Sequence, residues 1–191
     1  RLSEVLIIEK PDIILVHGDT TTTLAATLAG YYHQIKVCHV EAGLRTGDIY
    51  SPWPEEGNRK VTGALACIHF APTERSKDNL LREGVKVNNI FVTGNTVIDS
   101  LFIAKDIIDN DPNIKNALHK FNFLDKSRRV VLITGHRREN FGKGFEDICF
   151  AIKELAFIYP NVDFIYPVHL NPNVMEPVHR ILDNICNIYL I

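Results

Sequence analysis

"DIILVHGDTTTTLAATLAGYYHQIKVCHVEA", residues 12–42, decides the fold. Its opening "DIILVHG" is apolar, β-branched and closed by a glycine, which reads as a buried strand. From about Thr20 to Tyr32 the chain turns to Thr, Ala and Leu, a helix opened by a threonine able to cap it. "KVCHVEA" (36–42) is apolar again and reads as a second strand. A strand, a helix and a strand in this order form a crossover unit with parallel strands.

The same alternation extends in both directions. A long loop leads to a helix near Pro54, where a proline in the first turn costs no hydrogen bond and glutamates suit the positive end of the dipole. "ACIHFAP" (66–72) is a strand, "TERSKDNLLREG" (73–84) a helix bounded by Thr73 and Gly84, and "NIFVTG" (89–94) a strand. A helical stretch over 96–109 follows. The polar "NDPNIKNALHKFNFLDKS", interrupted by Pro112, reads as a connection containing a short helix. The pattern then restarts: strand "RVVLITGH" (129–136), helix Gly144 to Ile158, strand "VDFIYPV" (162–168), helix Pro172 to Asp183, strand "NIYLI". The expected fold is α/β, with two doubly wound parallel-sheet lobes. Residues 1–105 belong to the first, 106–128 to a connector and 129–191 to the start of the second. The chain opens on "LSEVLIIEK", which looks like mid-helix, and stops at what looks like mid-strand. Both lobes are therefore expected to be incomplete, and the chain to be a piece of a longer protein.

Composition narrows the function. Of 191 residues, 46% are hydrophobic and 23% charged, which argues against disorder. The net charge of −2 offers no basic surface to nucleic acid or anionic lipid. Four well-separated cysteines, Cys38, Cys67, Cys149 and Cys186, suit reduced thiols better than a disulfide framework or metal cluster. No run reaches membrane-spanning length and no signal-peptide pattern opens the chain, so a cytoplasmic place is expected.

In parallel α/β folds ligands bind beyond the carboxyl ends of strands. The residues found there are "HGDTTTT", "VEAGLRTGD", "APTE", "TGNT" and "TGHRREN". In "GDTTTT" two readings stand, helix capping and ligand binding; Asp19 is the residue that capping does not require. "HGD" alone is a weak metal motif, and no metal is expected. Glu41 directly follows an apolar strand, where a carboxylate is costly unless it is paired or working; Arg45 is its candidate partner. Glu55 and Glu56 can complement a helix dipole, the reading favoured for Glu56, and Trp53 between two prolines reads as a packing brace that holds Glu55 in place. "GHRREN" with "FGKGF" supplies arginine forks and glycine-exposed amides suited to a diphosphate. His169 lies just beyond the strand "VDFIYPV"; taken alone, a structural role suits it best.

"VHGDTTTTLA", "HVEAGLRTGDIYSPWPEEGNR", "TGNTVIDSL", "TGHRRENFGKGFE" and "YPVHLNPNV" together resemble, in chain order, the bacterial non-hydrolysing UDP-N-acetylglucosamine 2-epimerases. The resemblance covers nearly the whole chain and is weakest at 106–128. It implies a glycosyltransferase-B-like fold with the nucleotide in the cleft. It also implies interconversion of UDP-GlcNAc and UDP-N-acetylmannosamine (UDP-ManNAc) by elimination and re-addition of UDP, with no cofactor and no metal. By position Asp19, Glu41, Glu55 and His136 match the family's catalytic residues, the carboxylates for proton transfer and His136 for the leaving diphosphate. Arg45, His136 and Arg137 are the expected substrate contacts. Arg137 and His169 match positions that hold a second UDP-GlcNAc as allosteric activator. A homodimer is implied for the full-length protein. Two other classes stay open, a nucleotide-sugar glycosyltransferase of the same fold and an inactive fragment that binds nucleotide sugar.

Overall fold

The computed structural model describes residues 1–125, 127–135, 137 and 140–191. It divides into two compact units, Arg1–Asn110 and Asp111–Ile191. The first runs α1 (Leu2–Glu9), β1 (Ile13–His17), α2 (Thr21–Tyr32), β2 (Lys36–Val40), α3 (Glu55–Leu65), β3 (Ile68–Ala71), α4 (Glu74–Arg82), β4 (Ile90–Val92) and α5 (Thr96–Asn110). Its four strands pair in chain order and all are parallel. The second runs α6 (Pro112–Ala117), a 3₁₀ turn (Leu118–Phe121), β5 (Arg129–Leu132), α7 (Lys143–Ile158), β6 (Val162–Tyr166), α8 (Pro172–Leu182) and β7 (Ile188–Leu190). Its three strands are likewise parallel and in chain order.

The helix starts follow from their caps. The Thr20 hydroxyl accepts from the Thr23 amide at 3.3 Å, and the Thr73 hydroxyl accepts from the Ser76 amide at 3.1 Å. Asn171 caps α8 by accepting from the Asn173 amide, with Pro172 in the first turn. Pro112 does not interrupt a segment: it occupies the first turn of α6, whose cap is Asp111, because a proline there gives up an amide that has no helical partner.

In the first unit Leu80 of α4 packs with Ala42, Ala71 and Ile90. That contact brings the loop after β2 against α4: a Cβ on Gly43 would lie 2.2 Å from the Ser76 carbonyl oxygen, and its φ of +86° suits glycine. The second unit has a larger core, with Phe145, Cys149 and Ile152 of α7 and Val174, Val178 and Leu182 of α8 closing over Phe164 and Tyr166.

The strands are shorter than their apolar runs. β2 stops at Val40, and Glu41, read in sequence as strand, takes a left-handed φ of 66°. β5 stops at Leu132, so Gly135 falls in the loop, while His136 lies outside the described residues. At both ends one further amide continues the pairing, Ala42 to the Phe70 carbonyl at 3.0 Å and Ile133 to the Ile165 carbonyl at 2.8 Å.

Candidate active site

The first cluster forms where β1 and β2 end. The Gly18 amide donates to the Val40 carbonyl at 3.0 Å, which carries the pairing one step beyond the strands. Glu41 then folds back: its Oε2 lies 3.4 Å from His17 Nε2 and 3.4 Å from where a Cβ on Gly18 would stand. A side chain at Gly18 would crowd this carboxylate. A left-handed, non-glycine residue at a strand end is the kind of backbone cost that active sites tolerate. Below the turn, the wholly buried His39 puts Nε2 2.8 Å from the Gly18 carbonyl, so the neutral ring donates there. Burial pushes the His39 pKa down, keeping it a neutral donor.

Of the threonines after Asp19, two are structural. Thr20 caps α2, and the Thr23 hydroxyl donates to the His17 carbonyl at 2.6 Å. Asp19 is bound differently, from α3. The Asn58 side-chain amide donates to the Asp19 carbonyl at 2.8 Å, and Arg59 Nη2 meets Asp19 Oδ2 at 2.6 Å. Glu55, half-buried at the start of α3, is one helical turn before Arg59 and so shares its face. Asp19, Glu41 and Glu55 thus come from three elements to one end of the sheet.

Three sequence expectations change here. Glu56 does more than complement a dipole: it is wholly buried, accepts from the amides of Thr46 and Gly47 at 3.2 and 3.4 Å, and pairs with Arg59 at 3.1 Å. Arg45 does not pair with Glu41. Its guanidinium forks onto Glu83 at 2.8 and 2.6 Å, beside Gly63 of α3, and this bond holds the Glu83 carboxyl below the usual carboxylate range. Trp53 is 64% exposed, not a buried packing anchor. The loop is pinned instead by its polar groups, the Thr46 hydroxyl donating to the Ser51 carbonyl at 2.5 Å and the two backbone amides meeting Glu56; the bonds before Pro52 and Pro54 are cis. Sequence reasoning passed over Asn58, Arg59 and His39. The Glu56–Arg59 spacing of three on a helix was the available signal for one of them.

In the second unit, the Tyr166 hydroxyl donates to the Gly135 carbonyl at 2.7 Å and fixes the end of β5; burial pushes its pKa up to about 12. Arg137 is exposed in the following loop, and its carbonyl accepts from the Asn140 amide at 3.1 Å. Gly142, at φ +84°, brings no side-chain cap to α7, whose first amides can then face an anion. His169 accepts the Asn171 amide on Nδ1 at 3.1 Å, which leaves the proton of the neutral ring on Nε2. Among the described residues no three His, Cys, Asp or Glu side chains are grouped to hold a metal, and all four cysteines are free.

A family model described as UDP-N-acetylglucosamine 2-epimerase matches residues 1–191. The chain belongs to the UDP-N-acetylglucosamine 2-epimerase family. It is 64% identical over 183 residues to the UDP-N-acetylglucosamine 2-epimerase of Yersinia pestis, covering 95% of this chain and 49% of that protein. To the Escherichia coli (strain K12) enzyme it is 56% identical over the same span, again 49% of the relative. The crystal structure of the Neisseria meningitidis 2-epimerase bound to UDP-GlcNAc superposes with a TM-score of 0.96 at 50% identity, over 100% of this chain and 51% of that one. The chain spans about half the length of the curated relatives it matches. It shares with the solved 2-epimerases the parallel-sheet α/β units of a glycosyltransferase-B-like fold.

Proposed function

We propose that residues 1–191 supply the acid–base apparatus of an enzyme that interconverts UDP-GlcNAc and UDP-ManNAc by inverting carbon 2. The observation that carries this reading is the gathering of Asp19, Glu41 and Glu55, from the β1–α2 turn, the end of β2 and the start of α3, in a chain of this family. Inversion requires a weakly acidic proton to leave one face of carbon 2 and another to arrive on the opposite face. Carboxylates on separate elements can address the two faces, each contributing about 10²–10⁴-fold to the rate. The carbon 2–hydrogen and carbon 1–oxygen bonds break, the proton passes to a carboxylate, and UDP leaves with the bonding electron pair. Re-addition of UDP after protonation from the other side completes the epimerisation. We assign His136 and Arg137 to neutralising the diphosphate as it departs, the task for which preorganised cations and donors are most effective.

Arg45 keeps an assignment as a substrate contact only through the resemblance, since Glu83 occupies its guanidinium fork. Arg137 and His169 are assigned to a second UDP-GlcNAc that activates the enzyme. His169→Ala should blunt the activation by substrate, and unchanged kinetics would remove His169 from that site. No cofactor and no metal enters the reaction. A homodimer in the cytoplasm is proposed for the full-length protein. No helix among the described residues is long and apolar enough to cross a membrane.

The test is product analysis. A full-length protein carrying these residues, given UDP-GlcNAc, should approach an equilibrium mixture with UDP-ManNAc, read from the anomeric proton signals. Free N-acetylmannosamine plus UDP would mean a hydrolysing enzyme, and sugar transferred to an acceptor would mean a glycosyltransferase; either result sinks the proposal.

A further inference from the structure

The reaction as assigned leaves Glu56 and Arg59 without a task, yet both are held by several bonds next to Asp19. Glu56 has no exposure to water, and a carboxylate so placed must be matched by a cation and hydrogen bonds. It has both: Oε1 accepts the Thr46 and Gly47 amides, and Oε2 accepts from Arg59 Nη1 at 3.1 Å. The Arg59 side chain is itself only 15% exposed. A surface arginine swings freely, but this one is gripped by a buried charge that water cannot reach. The planar guanidinium then has one arm left, with a fixed direction. That arm, Nη2, ends 2.6 Å from Asp19 Oδ2, while Asn58, the preceding residue of α3, holds the Asp19 carbonyl.

We propose that the Glu56–Arg59 pair is a positioning device for Asp19. It holds Oδ2 and thereby presents Oδ1 for proton transfer at carbon 2 of the sugar. Because Glu56 also takes the amides of residues 46 and 47, the loop between β2 and α3 is anchored to the same pair, so the placement of that loop and the orientation of Asp19 are set together. Arg59 does not touch the reacting atoms; it acts through Asp19. The proposal rests on reading Asp19 as a proton-transfer group of a 2-epimerase.

The test uses a full-length protein carrying these residues and follows solvent deuterium entering carbon 2 of UDP-GlcNAc. Arg59→Met combined with Glu56→Gln removes both members of the buried pair at similar volume and keeps an acceptor for the two amides; the carboxylate that loses a partner, Asp19, is 27% exposed and can be solvated. A small misplacement of a catalytic group costs about 10²-fold, and that is the expected fall in exchange rate, with KM within about threefold of the parent. Arg59→Lys keeps a cation for Glu56 but cannot bridge two carboxylates as a fork; it should fold and lie between the two, roughly tenfold below the parent. Exchange within threefold of the parent in either variant, or a rise in KM with kcat unchanged, overturns the positioning role. Asp19→Asn is measured alongside: if it leaves exchange intact, the assignment of Asp19 itself fails, and the proposal with it.

Discussion

At Asp19 three contacts converge on one residue: Arg59 on the carboxylate, Asn58 on the carbonyl, and the turn through Gly18 that His39 supports from below. A carboxylate held this way is suited to work as an acid or base because its geometry is set before substrate arrives. Asp19→Asn preserves size and most hydrogen bonding while removing the proton-transfer function, so kcat should fall about 10²–10⁴-fold with the fold intact. Steady-state kinetics beside a melting curve distinguish this from unfolding. A second prediction concerns the buried histidines that face each other across β2 and β3, His39 and His69. Burial, reinforced by His39, pushes the His69 pKa down to about 4, so the folded protein holds this ring neutral while the unfolded chain takes up a proton near pH 6.5. Its stabilisation is complete above pH 6.5 and is lost as pH falls toward about 4. The Tm should therefore drop across that window, and His69→Leu should flatten the drop; a parallel decline in the variant would show that other groups cause it.

Among the elements, β1, β2 and α3 make the site and α4 braces it. Gly43 is where that bracing is tightest, since a Cβ there would meet the Ser76 backbone oxygen at 2.2 Å and no side-chain rotation can relieve it. Gly43→Ala should cost at least the about 1–3 kcal/mol of an overpacked core, lower the Tm measured by calorimetry, and reduce activity by displacing the end of β2. An unchanged Tm would mean the loop yields freely. This scale also shows what was legible in the sequence. Period, caps and breakers placed the strands and helices, because Thr20, Thr73, Gly84 and Pro172 act through their own local geometry. The strand-end rule singled out Asp19 and Glu41; Glu55, at the start of α3, entered as a proton-transfer candidate only through the family resemblance. What sequence could not show was direction: Arg45 turns toward Glu83, 38 residues on, and Arg59 toward Asp19, 40 residues back. Those choices depend on how helices pack, and no local spacing encodes that. Trp53 misled because aromatic size suggests burial, whereas here polar bonds to Glu56 and Ser51 carry the loop.

For the whole molecule, the two parallel-sheet units follow from the alternation of elements, and the chain belongs to the UDP-N-acetylglucosamine 2-epimerase family. The chain spans about half the length of its relatives, and the proposed acid–base residues of the first unit all lie between residues 19 and 55. We expect the 191-residue chain by itself to epimerise poorly, because it spans about half the length of the relatives it matches; robust turnover by the isolated chain would refute this. The central claim is that the carboxylates gathered at this sheet end take a proton from carbon 2 and return one to it. It is tested most directly by incubating a full-length protein carrying these residues with UDP-GlcNAc in deuterated water and locating the label. The account predicts one deuterium at carbon 2 of both recovered UDP-GlcNAc and UDP-ManNAc, lost together in Asp19→Asn. UDP-ManNAc formed with its original hydrogen retained at carbon 2 would contradict it.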